Sequence, residues 1–472
     1  MKQNMTRVEK DLLGTKIVDD RHYYGIQTLR ALENFNLTQH KLSDYPYFIR
    51  ALAMVKQACA EANYQLNLLS QEKYAAIVYA CQQVCSGKFD HEFPLDMLQG
   101  GAGTSTNMNA NEVICNLGLS YLGHPKGQYQ YLHPNNDVNM SQSTNDVYPT
   151  AIRLAILLAL EGYAQKLNQL TQSLYDKAAT FAHVLKMGRT QLQDAVPMTL
   201  GQEFAAFAHV LQQDVSLIQQ HMVPLVSQVN LGGTAIGTGI NTPAHYQEMA
   251  LSALNRISQQ NLITATDLIA ATSDMGDFVF VSSMLKRTAT KLSKIANDIR
   301  LLSSGPRAGL NEIYLEPRQP GSSIMPGKVN PVIPEAMNMS AFHVIANDLA
   351  ITLAADAGQF QLNAMEPLIA FKIFDSFDVL ERSIGMFEQF CIRSIEANES
   401  QCRHNVEHSI GIVTALNPYL GYEVTTRLAK QALETGQSVL ALVREEQLLT
   451  EEILAQALSV EQMLHPPLDL AI

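Results

Sequence analysis

Four short segments concentrate hydroxyl, amide and ammonium groups: GGAGTSTNMN at 100–109, SQSTND at 141–146, GRTQLQD at 188–194 and GSSIMPGKVNP at 321–331. Taken singly, each of the first three reads best as helix capping, for which Ser, Thr, Asn and Asp are the preferred residues. Together they describe something else. Short hydroxyl and carboxamide side chains, with backbone N–H groups, can surround a carboxylate with fixed neutral donors and so stabilise charge that builds up only in a transition state. The glycines at 100, 101 and 103 lack phosphate-loop spacing, and no lysine follows at the matching distance. A carboxylate is the preferred ligand.

The fourth segment can be neither helix nor strand. It lies in a stretch with glycine or proline at 305, 306, 309, 317, 320, 321, 326, 327 and 331. Unstructured connections beyond roughly 12–15 residues are uncommon in compact domains and usually serve as lids or linkers. Ile313, Tyr314, Leu315, Ile324, Met325 and Val329 give this one apolar anchors that a disordered linker lacks. The expectation is a hinged lid, with Gly321 and Gly327 absorbing backbone rotation.

The elements that must position these groups are long helices. Apolar residues recur three or four apart, with almost no proline, over 150–185, 200–226, 278–302, 334–357 and 367–398. In the first, Ile152, Ile156, Tyr163, Leu167, Leu170 and Leu174 mark one face, and Gln165, Lys166, Gln169 and Asp176 another. Strand-type alternation is scarce, so the fold is expected to be mainly α. Turn signals and helix lengths divide the chain into a mixed, mostly helical amino-terminal domain (1–145), a central long-helix bundle carrying the lid (146–396) and a small helical carboxy-terminal domain (397–472). Several central segments, 341–354 among them, are apolar on more than one face and call for neighbours from other subunits.

Composition narrows the function. The 472 residues are 47% hydrophobic and 17% charged, with a net charge of −12. A negative body of this kind argues against broad binding to nucleic acid or anionic membrane. The six cysteines are scattered, as expected of reduced thiols in a cytoplasmic protein. Cys81 and Cys85 lie four apart, but no second pair of soft ligands follows at metal-site spacing. His133, His343 and His408 read as surface or core histidines rather than ligands. The most apolar run, 154–160, is too short to span a bilayer.

GSSIMPGKVNP resembles the signature of the fumarase and aspartase superfamily, whose members eliminate across a carbon–carbon bond to release fumarate. Similar segments, LLGT at 12–15, YYGIQTLRALENF at 23–35 and SIGIVTALNP at 409–418, extend the resemblance over nearly the whole chain. It implies a three-domain fold whose long central helices form a twenty-helix core in a homotetramer, with each active site built by three subunits. It also implies catalysis without an organic cofactor; a divalent cation such as Mg activates some aspartases, but the sequence offers no compact His/Asp/Glu motif for a metal site. By position in the motif, Ser322 is the catalytic base that abstracts the carbon-bound proton to give an aci-carboxylate. The resemblance further implies that Thr104, Ser143, Thr144 and Ser323 hold the carboxylate beside the reacting carbon. Lys328 and Asn330 hold the other carboxylate, and Asn145, Thr190 and Gln191 lie near the leaving amino group. A serine hydroxyl is a very weak acid, so Ser322 needs positive surroundings; the backbone amides of the lid and Lys328 are the candidates.

Fumarases of this class carry histidine where this chain has Gln191. Hydroxide is a poor leaving group that benefits from a proton donor, whereas a protonated amino group departs as neutral ammonia. Glutamine can orient that group and cannot titrate. NPVIPEA after the signature, and MEP at 365–367, also differ from the fumarase pattern. Glu335 reads as a favourable first-turn charge on a helix begun by Pro334. The expected activity is reversible deamination of L-aspartate to fumarate and ammonia by anti elimination. The alternatives are a class II fumarate hydratase, then lyases of argininosuccinate or adenylosuccinate type, for whose large leaving groups the sequence shows no cluster, and less favoured a catalytically silent structural homologue, which would be marked by loss of the loop serine or lysine.

Overall fold

The computed structural model describes residues 6 to 464, so positions 465 to 472 of the expected carboxy-terminal domain lie outside it. The fold is mainly α, as the periodicity requires. Its framework includes helices α1 (Thr104–Tyr121), α2 (Thr144–Thr180), α3 (Leu200–Leu217), α4 (Gly276–Leu302), α5 (Val332–Asp356) and α6 (Glu366–Phe390). The β-structure among the described residues is confined to two-stranded pairs. The larger ones are hairpins: β1 (Thr6–Asp11) with β2 (Gly14–Asp19), and β3 (Leu185–Thr190) with β4 (Gln193–Thr199).

Helix ends depart from the periodic pattern for local reasons. α2 starts at Thr144, inside the polar cluster, because Ser143 and Asp146 form a capping box. The Ser143 hydroxyl accepts from Asn145 N–H at 3.2 Å, and Asp146 Oδ1 accepts from Ser143 N–H at 2.9 Å. The helix stops at Thr180, short of 185, because the chain then enters β3. α3 stops at Leu217; a π-turn (Ile218–Met222) and one further turn (Val223–Val226) replace the expected continuation to 226 around Pro224. α5 begins at Val332, two residues before Pro334, which sits in the first turn where a missing N–H costs nothing. α6 ends at Phe390, and Glu396–Ala397 then pairs with Ile313–Tyr314.

The described chain forms two compact units. The first comprises residues up to Ala164, Ser216–Arg287 and His343–Val379; the second comprises Gln165–Val215, Thr288–Phe342 and the chain from Leu380 onward. In the first unit, Phe48 packs against Tyr148 and Phe374 with ring centroids 5.7 and 5.0 Å apart, and all three rings are fully buried. Each such side chain contributes about 2–3 kcal/mol through burial. α2 is long and apolar enough to cross a membrane, but 78% of its most apolar window is buried inside the protein, as in a core helix. In the second unit, Val406, Ile412, Leu416, Leu428, Leu440 and Val443 from the carboxy-terminal helices close over Met187 of β3. All six cysteines are free, and only Cys85 is more than marginally accessible.

Candidate active site

In the first unit, two of the polar clusters meet at the starts of α1 and α2. Thr104 is the first residue of α1 and is exposed, while Ser143, Thr144 and Asn145 are half-buried. Gly103 sets the spacing between them. At φ 87° it occupies the left-handed region, and a Cβ there would lie 2.6 Å from the ring of Tyr148 in α2. One turn on, Asn107 Nδ2 donates to Thr144 Oγ1 at 3.1 Å. Two helix amino termini thus open side by side, and the N–H groups and dipoles of both favour an anion.

The support beneath this cluster was not anticipated from the sequence. Asn139 Oδ1 accepts from Lys56 Nζ at 2.8 Å and from Asn107 and Asn111, each at 3.1 Å. Burial pushes the Lys56 amine down to about 7. Asp146, fully buried, accepts from Gly232 N–H at 2.9 Å and Thr234 N–H at 3.1 Å in addition to Ser143. Burial pushes its carboxyl up to about 6 against the pull of those three amides. The glycine-rich segment NLGGTAIGTG at 230–239 is a turn signal in its own right, but nothing in its composition points to a partner some eighty residues earlier.

In the second unit, Thr190 and Gln191 stand on the β3–β4 turn and are exposed. Thr190 pairs with Gln193, so Gln191 and Leu192 form a two-residue connection with φ of 53° and 63°. That is the turn type normally built from Asn-Gly, and two larger side chains there hold strained backbone. The loop expected to serve as a lid runs from the end of α4 to the start of α5. Its signature segment closes into a small ring: Gly321 N–H donates to Lys328 O, and Asn330 Nδ2 to Gly321 O, both at 2.8 Å. Gly321 is needed for close approach, since a Cβ would lie 2.6 Å from Lys328 O; Gly327, at φ 82°, is the position with left-handed backbone. Ser322 is half-buried, and its Oγ accepts from the N–H groups of Ile324 at 3.2 Å and Met325 at 3.0 Å. Those donors favour negative charge on this oxygen. Ser323 and Lys328 are exposed, and Asn330 is half-buried.

An open cleft of about 900 Å³ lies against the lid and is lined by Arg300, Lys328, Asn330 and Glu335, but not by Ser322 or Ser323. The lid is tied to the hairpin at its base. Glu312 Oε1, fully buried, accepts from Arg189 Nη2 at 2.6 Å and Asn405 Nδ2 at 3.0 Å, and Lys186 Nζ lies 3.3 Å from its other oxygen. Burial raises the Glu312 carboxyl, but Arg189 and Lys186 outweigh it and hold the group below the usual glutamate range. Glu335 sits in the first turn of α5, 3.9 Å from Arg300, as a first-turn charge should. His133 caps the turn at Pro134–Val138 through Nδ1, His343 pairs with Asp375 at 2.6 Å, and His408 bonds its own helix at His404 O.

Comparison with known proteins shows the family to which the chain belongs. A family model described as "Lyase" matches residues 14–346, and one described as "Fumarase C C-terminus" matches 412–465. The chain belongs to the fumarase/aspartase superfamily. Aspartate ammonia-lyase of Pseudomonas fluorescens is 62% identical over 98% of this chain and 97% of its own length, and that of Escherichia coli K12 is 51% identical with the same coverage. A fumarate lyase:delta crystallin structure from Brucella melitensis superposes with a TM-score of 0.95 at 52% identity, covering 98% of this chain and all of that one. Recombinant class II fumarase from Schistosoma mansoni gives 0.91 at 35% identity with the same coverage. The superfamily fold is thus common to lyases acting on different leaving groups, and the leaving group must be read from side chains.

Proposed function

We infer that this chain is a carbon–nitrogen lyase, an aspartate ammonia-lyase that interconverts L-aspartate with fumarate and ammonia. The observation that carries the reading is near-full-length identity of 50–62% to aspartate ammonia-lyases from several bacteria. Gln191, where the resemblance to fumarases calls for histidine, points the same way.

In the proposed reaction the Ser322 alkoxide takes a proton from the carbon next to the distal carboxylate of aspartate. The electron pair moves into that carboxylate, giving the aci-carboxylate. Thr104, Ser143, Thr144 and Ser323 donate hydrogen bonds to it, and the helix starts at Thr104 and Thr144 add their dipoles. Lys328 and Asn330 bind the other carboxylate. As the intermediate collapses, the carbon–nitrogen bond breaks and ammonia leaves from a site formed by Asn145, Thr190 and Gln191. The N–H groups of Ile324 and Met325 make Ser322 a stronger acid before substrate arrives. The reaction needs no organic cofactor, and a divalent cation such as Mg acts at most as an activator.

The same reading includes a cytoplasmic homotetramer with a twenty-helix core, the three-part division at about 145 and 396, and active sites shared by three subunits. The solvent-facing stripe Met339, Phe342, Leu349 and Leu353 on α5 supports it, with exposures of 59–68%. Incubating the purified protein separately with aspartate and with malate, and following the absorbance of the conjugated diacid, tests the function. Aspartate should generate fumarate; a signal from malate alone would make the chain a hydratase.

A further inference from the structure

Pro149 lies in the second turn of α2 and has no N–H to give to the carbonyl four residues earlier. That carbonyl belongs to Asn145, and it is not left unpaired: Asn230 Nδ2 donates to it at 3.0 Å and to Thr272 Oγ1 at 3.0 Å. From Asn230 the chain turns so that Gly232 and Thr234 give their N–H groups to Asp146 Oδ2. The next carbonyl, Ala235 O, then accepts from Asn145 Nδ2 at 2.8 Å. One loop therefore grips Asn145 by its backbone oxygen, its side chain and its neighbour. Thr234 accepts φ 56°, a conformation a β-branched residue seldom adopts, to place that carbonyl.

The chemistry fixes which way the carboxamide points. A backbone carbonyl can only accept, so the NH2 end of Asn145 must face Ala235, and its Oδ1 is turned away as an acceptor. An ammonium group can only donate.

We propose that the loop 230–235, anchored by the buried Asp146, is a positioning element that presents Asn145 Oδ1 to the ammonium group of the substrate. The proposal rests on the aspartate reading above and adds Asp146, Thr234 and the Ala235 carbonyl to the residues that determine specificity. Asp146 touches no substrate and acts through Asn145 and, by its bond from Ser143 N–H, through the carboxylate site. Asp146→Asn replaces an acceptor of backbone N–H groups by a side chain that also carries donors. Thr234→Gly keeps the N–H bond to Asp146 while loosening the carbonyl that follows.

The test compares KM for aspartate with the inhibition constant of succinate, a dicarboxylate of the same length without an amino group. Loss of one charge-assisted hydrogen bond should raise KM for aspartate several-fold in Thr234→Gly with succinate inhibition unchanged, whereas Asp146→Asn, which also loosens Ser143, should weaken both ligands and aspartate about tenfold more than succinate. A variant damaged only in structure would weaken both ligands together, so an unchanged ratio in correctly assembled variants overturns the proposal. If Asp146→Asn fails to assemble, Thr234→Gly decides alone. Wild-type protein that binds succinate and does not deaminate aspartate would instead refute the activity on which the proposal rests.

Discussion

Arg189 donates to Glu312 at 2.6 Å, joining the strand that ends in Thr190 to the first part of the loop that carries Ser322. Removing the Glu312 charge leaves Arg189 unpaired, and removing Arg189 leaves Glu312 with Lys186 and Asn405 alone, which costs about 1–3 kcal/mol in either case. Arg189→Met and Glu312→Gln should each destabilise the protein in urea by that order, and the double variant by less than the sum of the two. Additive losses would show that the pair is not coupled. Because the folded Glu312 carboxyl lies below its ordinary value, its contribution is present above about pH 4.5 and is lost as pH falls through the folded value.

Ser322→Ala should leave the fold and assembly intact while turnover falls at least about 10²-fold, the scale of a lost general base. Near-normal turnover in a steady-state assay would reject Ser322 as the base.

At the β3–β4 turn the strained backbone should be relieved by glycine. Leu192, at φ 63°, makes no demand on its exposed side chain, so Leu192→Gly should raise stability by about 1 kcal/mol, read as a higher unfolding midpoint. A lower midpoint would show that the side chain packs against another subunit.

Glu366 is fully buried, and neither carboxyl oxygen has a hydrogen-bond partner. Burial holds its carboxyl well above the usual range, opposed only by Arg153. Folding then favours the protonated form, so the stability it contributes is full below about pH 4.5 and is lost as pH rises through the folded value. Glu366→Gln should flatten the decline of stability between pH 5 and 8 measured by urea unfolding. An identical slope in wild type and variant would place the effect elsewhere.

Phe342→Glu puts a charge in the exposed apolar stripe of α5. Light scattering should report smaller assemblies, and deamination should fall with them; an unchanged mass would remove the stripe from the interface.

The long helices were legible because their apolar period is strong, and the site clusters because short polar side chains stand out between them. What stayed hidden depends on distant partners. Thr144 stood in a cluster read as capping, and only the bonds of Ser143 and Asp146 make it the first helical residue; the segment 230–239 carries no sign of its partner Asp146. Pro149 lay just ahead of the expected helix start at 150, and the role of its missing N–H depends on Asn230, some eighty residues further on. The break at Leu217 and the hairpins escaped because short elements leave too few residues for a period to register.

The bare backbone at position 103 has a practical bearing on redesign. Any side chain there would push against the Tyr148 ring and pry the two helix starts apart, loosening the proposed carboxylate site before it enlarged the space for a bulkier acid. Libraries meant to broaden the range of amino acids accepted should therefore keep Gly103 and Tyr148 as they are, and vary Gln191 instead.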